Sequence, residues 1–225
     1  ASFVLFSDQD SLPAQAMVTS LRGLCDRLAS EGIRVGAVGP TYTDIYTSRA
    51  YPFQTWEPGA FFYGHRYPEA GGHVKVLSLI TSGTLVPRSV LEDVGPMDEG
   101  LFIDYVDVEW CLRAANLGYD LFGSDAARMS QRMGDKSLRV WYLGWRSETQ
   151  YPPLRVYYRV RNHVALTKLS HVPLRWKIRA SWYVAGVIYS HAVFGDQRLQ
   201  SLRMALKGFM HGVAGRMGKL NEESP

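Results

Sequence analysis

An α/β body followed by a basic helical region is the fold class that this sequence predicts. Three observations carry it: a strand–helix–strand order at the start, a charge split between the two parts, and a change of residue pattern after Trp145. Residues 3–6 are an apolar run suited to a buried strand. Ser11 stands as the N-cap of a helix over residues 12–30, with Pro13 in its first turn, where a missing N–H costs little. Gly32 closes that helix, and residues 35–38 read as the next strand. Residues 40–72 are rich in Tyr, Thr, Pro and Gly without a sustained period, which predicts a long loop with an edge hairpin. Residues 74–80 predict a strand, followed by a turn at 81–84 and a short helix over 87–94 closed by Gly95. A longer helix over 104–117 ends at Gly118, and a strand follows over 119–122. Beyond Trp145, helices are predicted near 154–170, 174–194 and 197–217, broken at Pro173 and Gly195-Asp196. The expected division is a body over 1–145 and a helical region over 146–225.

With 225 residues, 46% hydrophobic and 20% charged, the composition is that of a globular chain and excludes a disordered one. The two cysteines, Cys25 and Cys111, are too few for a disulfide framework and point to a reducing compartment. The opening residues read as a strand, not as a basic stretch ahead of an apolar leader. Residues 1–150 hold 13 Lys/Arg against 18 Asp/Glu, a net of −5; residues 151–225 hold 12 against 3, a net of +9. Such a split suits either an anionic partner or basic helices packed on an acidic body.

Three constellations could carry chemistry. Asp8-Gln9-Asp10 follows the first strand, and alternate residues of an extended chain share a face, so both carboxylates could meet one ligand at the strand's carboxyl end. Hard oxygen ligands of this kind suit Mg²⁺ or Mn²⁺ with a diphosphate; capping of the following helix by Asp10 and Ser11 is the competing reading. In 102–114, Asp104 and Asp107 lie three apart at the start of a helix. That spacing fits a capping arrangement, and it equally fits a carboxylate placed to take a proton from a hydroxyl. Ile80-Thr81-Ser82-Gly83-Thr84 is a small, hydroxylated turn that either lines a ligand or simply turns. The histidines lack zinc spacing, and there is no nucleophile elbow, phosphate loop or dinucleotide fingerprint.

Taken in order, FSDQDS (6–11), LITSGTLVPRSVLEDVGPMDEGLFIDYVDVEWCLRAANLGYDLF (79–122) and YYRVRNHVALTKL (157–169) resemble glycosyltransferase family 2, in particular its bacterial rhamnosyltransferase branch. The resemblance implies a GT-A fold, a Rossmann-like mixed sheet, and inverting transfer of a sugar from a nucleotide donor. Rhamnose from dTDP-rhamnose is the expected donor sugar, in cell-surface polysaccharide synthesis. It further implies that Asp8 and Asp10 hold a divalent cation and the donor diphosphate, and that Asp107 is the catalytic base. Ser82 and Gly83 would line the cleft, with Asp104, Glu109 and Trp110 beside the substrate.

Two departures from the family pattern stand out. Gln131, in SQRMGD, occupies the place of a histidine ligand and is a neutral, poorer one. The chain opens at the Asp-x-Asp strand, so the strand–helix–strand unit that holds the nucleotide base is expected to be missing, and with it half of the donor pocket.

The expected partners are a nucleotide-sugar donor and a saccharide or lipid-linked saccharide acceptor, in the cytoplasm. Residues 180–194 are too short to span a bilayer but, flanked by basic residues, suit an interfacial helix on an anionic membrane at its inner face. A non-catalytic, membrane-associated relative of such an enzyme is the second reading. No nucleic-acid partner is expected, because the basic residues are dispersed.

Overall fold

A computed structural model describes residues 2–45, 49–131 and 137–220, arranged as two compact units. The first takes residues 1–97 and 107–133; the second takes 98–106 and 134–225.

In the first unit, β1 (Phe3–Leu5) is followed by the two-residue β2 (Leu12–Pro13) and helix α1 (Met17–Ser30). The helix buries Met17, Leu21, Leu24, Cys25 and Leu28, an i, i+4, i+7 stripe that faces the sheet. Its N-cap is Ala16, with no side-chain cap, so the expected start at Ser11 is corrected. Pro13 lies in β2, which pairs with the strand over Asp120–Gln131, and the helix starts later because residues 12–14 are held extended by that pairing.

The central strand β3 (Val35–Asp44) is buried over its first eight residues and is much longer than the expected 35–38. It runs parallel to β8 (Asp120–Gln131), itself three times the length expected over 119–122. Pro40 does not end β3 because the register shifts between Pro40 and Thr41, a place where an absent N–H breaks no ladder bond. The expected long loop therefore keeps only its hairpin, β4 (Phe53–Trp56) with β5 (Tyr63–Arg66). Strand β6 (His73–Val76) is shorter than expected, since the chain leaves the sheet at Leu77 to bond the Gln54 carbonyl at 2.7 Å. With β7 (Leu85–Pro87), the mixed sheet has the order β1-β7-β3-β8-β2, and β6 pairs with β8. Helices α2 (Arg88–Val94) and α3 (Val106–Asn116) complete the unit. Cys25 and Cys111 are both free and buried.

The second unit holds a short 3₁₀ turn over Glu99–Leu101, the hairpin β9 (Ser137–Trp141) and β10 (Trp145–Thr149), and helices α4 (Pro153–Lys168), α5 (Leu174–Val193) and α6 (Arg198–Ala214). Segment 98–106 belongs here because α4 grips it. The buried Asn162 amide nitrogen lies 2.8–2.9 Å from the carbonyls of Leu101, Ile103 and Asp104. The Arg161 guanidinium binds the Gly100, Leu101 and Gly218 carbonyls. Phe102, Asp104 and Tyr105 take φ of 61°, 62° and 67°, a left-handed region costly for such side chains, and these bonds oppose that strain. Helix α3 accordingly starts at Val106 and not at Asp104.

Candidate active site

The turn at 81–84 is stitched to the end of β1: Phe6 N–H donates to the Thr84 carbonyl at 3.0 Å, and Gly83 N–H to the Phe6 carbonyl at 2.8 Å. Gly83 has φ +75°, and a Cβ there would lie 2.8 Å from Pro40 Cγ and 3.0 Å from Met129, so a side chain is excluded twice over. Ser82 is fully buried. Its Oγ accepts from Asp8 N–H at 2.9 Å and lies 2.8 Å from Ser11 Oγ. The Tyr42 hydroxyl donates to the Ser82 carbonyl at 2.7 Å. The segment that carries Asp8 is thus hung on one serine, which itself rests on β3.

Asp8 and Asp10 are both exposed, past the end of β1, in a turn where Ser11 N–H donates to the Asp8 carbonyl at 3.4 Å. Their placement comes from that turn and not from alternation along a strand, and neither caps α1. At the far end of β8, Gln131 Nε2 lies 3.4 Å from Asp8 Oδ2. Gln131 Oε1 is buried without a hydrogen-bond partner among the described residues, an oxygen that lacks a cation or donor to meet. The two exposed carboxylates are hard oxygen donors of the kind Mg²⁺ or Mn²⁺ takes, completing its shell with water and phosphate, whereas the Gln131 atom that faces Asp8 is the amide nitrogen. Among the described residues no three His, Cys, Asp or Glu side chains gather as a self-sufficient metal centre. Gly134, the other end of the SQRMGD segment, lies outside the described residues.

Asp107 sits in the first turn of α3, half-buried, with Oδ1 accepting from Val108 N–H at 2.8 Å. The Tyr42 hydroxyl is buried and also lies 3.2 Å from the Ile80 carbonyl. Burial pushes the phenol well above its ordinary value; the Thr84 hydrogen bond opposes this, and the Asp107 and Asp8 carboxylates push it further.

A dTDP-rhamnosyl transferase, RfbF of Shigella flexneri, is 31% identical over 220 residues, which are 97% of this chain and 71% of that protein. The chain belongs to that transferase's family. A crystal structure of GalNAc-T7 with UDP, GalNAc and Mn²⁺ superposes on 95% of the chain with a TM-score of 0.52 at 11% identity; this chain spans 40% of that one. The fold is therefore of the GT-A glycosyltransferase type. No family model matches the chain.

Within this family member, three expected substrate contacts have other occupations. The Glu109 carboxylate is buried and bound by Arg113 through two bonds of 3.0 and 2.9 Å. Arg113 also donates to the Val94 and Pro96 carbonyls, tying α3 to the end of α2. Trp110 is buried, and its indole N–H donates to the Gly95 carbonyl at 2.9 Å. In the second unit, Asp104 is held by Arg155 at 3.0 Å and Arg159 at 3.1 Å, so its charge is already matched. Nor does it cap α3, whose first residue is Val106. Ser82, expected to line a cleft, instead holds the Asp8 backbone from beneath. Ser11 and Tyr42 went unnoticed as members of the site: Ser11 reads as a helix cap, and Tyr42 falls in the apparent loop. In the sequence, only hydroxyls on both sides of the Asp-x-Asp turn hint at this network.

Proposed function

We propose that this chain carries the catalytic machinery of an inverting, nucleotide-sugar-dependent glycosyltransferase of family 2, moving rhamnose from dTDP-rhamnose to a saccharide or lipid-linked saccharide in cell-surface polysaccharide synthesis. The observation that carries the reading is the likeness to a rhamnosyl transferase along 97% of the chain. The tethering of the Asp8 turn to the buried Ser82 supports it. The proposed setting is the cytoplasm, with the basic region toward the inner face of the cell membrane.

Asp8 and Asp10, with Gln131 as a neutral third oxygen, are the residues that would hold Mg²⁺ or Mn²⁺ together with the donor diphosphate. When bound, the cation supplies charge that offsets the developing negative charge of the leaving diphosphate. Asp107 takes the proton from the acceptor hydroxyl as that oxygen attacks the anomeric carbon from the face opposite the diphosphate. One base and no covalent intermediate give inversion. Ser82, Ser11 and Tyr42 keep the Asp8 turn in place. Glu109, Trp110 and Asp104 hold α3 and segment 98–106 and do not touch substrate.

The test is transfer by the full-length protein. Asp107→Asn should lower kcat by about 10²–10⁴-fold with donor binding retained, and turnover at the wild-type rate removes Asp107 as base. In calorimetry, nucleotide binding should need Mg²⁺ or Mn²⁺ and vanish in the Asp8→Ala/Asp10→Ala protein.

A further inference from the structure

Helix α6 has two faces that the second unit treats in opposite ways. Ser201, Ala205, Gly208 and Gly212 are buried against α4. A Cβ at Gly208 would lie 2.5 Å from the Tyr157 carbonyl oxygen, and one at Gly212 would lie 2.7 Å from that of Arg161. Two helix backbones meet there at a distance that only small residues allow, so α6 cannot roll about its axis. The opposite face is consequently fixed outward.

That outward face is apolar. Leu199, Leu202, Leu206, Phe209, Met210 and Val213 recur at helical spacing and are each 49–73% exposed. A continuous stripe of this size on a roughly 25 Å helix is far from the scattered apolar residues of an ordinary surface. The expected interfacial segment 180–194, in α5, buries Ala180, Val184, Val187, Ser190 and His191 and leaves Trp182, Tyr183, Tyr189 and Val193 exposed. No helix among the described residues is long and apolar enough to cross a membrane.

The charges bordering the stripe identify its occupant. On the helical wheel Arg203 and Lys207 flank one edge of the stripe and Arg198 the other, and all of α6 is free of acid. Asp196 is the one Asp or Glu between residues 150 and 220. A second copy would set this acid-free basic rim against an identical one, whereas an anionic lipid surface attracts basic residues along an inserted apolar stripe. We propose that the α6 face lies in the surface of an anionic membrane, with Leu202, Leu206 and Phe209 among the acyl chains and Arg198, Arg203 and Lys207 at the headgroups. This builds on the membrane-facing reading of the basic region and is independent of the roles given to Asp8 and Asp107.

Flotation with vesicles tests it. The chain should float with phosphatidylcholine vesicles that contain phosphatidylglycerol, and far less with phosphatidylcholine alone. Arg203→Gln/Lys207→Gln should weaken partitioning about 25-fold, at roughly fivefold for each charge lost. Leu206→Ser/Phe209→Ser should weaken it at least about tenfold, without lowering the melting temperature, because both side chains are exposed. Asp107→Asn, inactive in transfer, should still float. Absence of wild-type flotation, equal flotation on neutral vesicles, or retained flotation in both double variants each overturns the proposal. A dimer in light scattering that Leu206→Ser/Phe209→Ser dissolves, in a protein that ignores vesicles, assigns the face to a second copy instead.

Discussion

Two carboxylate sites, one in each unit, are built differently. In the first, Asp8 and Asp10 stand exposed on a turn held by the neutral hydroxyls of Ser82 and Ser11, and among the described residues no cation pairs with either. In the second, Asp104 is buried between Arg155 and Arg159, and Arg159 stacks 4.0 Å over the Tyr151 ring. A carboxylate matched by arginines is part of the scaffold, because its charge is already spent and freeing it means exposing buried guanidinium. A carboxylate held only through its backbone keeps its charge for a ligand. Distance along the chain does not separate the two kinds: Asp104 and Asp107 are three residues apart and belong to different units.

The largest expected effect breaks this contrast from the functional side. Asp8→Asn should cost about 10²–10³-fold in transfer, the magnitude of losing one electrostatic stabiliser of a leaving group, with an unchanged melting temperature. Steady-state kinetics beside calorimetric unfolding measure both. Wild-type turnover in Asp8→Asn would place the donor elsewhere.

Asp104→Asn should do the reverse. It leaves Arg159 with its tyrosines but no anion, at a cost of about 2–3 kcal/mol. That is below the ~3–5 kcal/mol of a fully buried pair, because Arg155 is half-exposed. Denaturant unfolding should show the loss, and the residual folded protein should bind donor as the parent does.

A third effect of similar size depends on pH and belongs to the second unit. His163 is buried beside Trp176 and Tyr105, its Nε2 2.9 Å from Ser181 Oγ, and burial lowers its pKa from 6.5 to about 4. Above pH ~6.5 the ring is neutral in both folded and unfolded chains. Between about 6.5 and 4 the unfolded chain binds a proton that the folded one refuses, so stability falls as pH falls, by up to about 3 kcal/mol. Burial lowers His191 in the same direction. His163→Gln should flatten much of the slope between pH 6.5 and 5 in thermal unfolding followed by tryptophan fluorescence.

Local signals made much of this legible. The α1 stripe, the closures at Gly32, Gly95 and Gly118, and the breaks at Pro173 and Gly195 are readable because each depends on residues within a turn or two. The roles proposed for Asp8, Asp107 and Gln131 rest on block order and spacing. What was not legible is long-range. Ser11 reads as a cap, and its partner Ser82 is 71 residues away. Pro40 reads as a strand stop, and only the register shift against β8 lets β3 continue. Glu109 and Trp110 read as cleft residues until Arg113 and the Gly95 carbonyl are seen to hold them inside.

The smallest effect sharpens the comparison most, since it separates holding a carboxylate from supplying one. Ser82→Ala removes the acceptor of Asp8 N–H and the partner of Ser11 Oγ, and should cost about 1–2 kcal/mol of stability. Because the Asp8 turn loses its tether while Asp107 keeps its place in α3, the donor KM should rise severalfold with kcat changed much less. Thr84→Ala is the comparison: its hydroxyl donates to the Ile80 carbonyl at 2.6 Å within the same turn and reaches the Asp8 segment only through Tyr42. It should lose comparable stability and shift KM less. If both variants shift KM alike, the turn as a whole positions the donor, and Ser82 has no separate part in it.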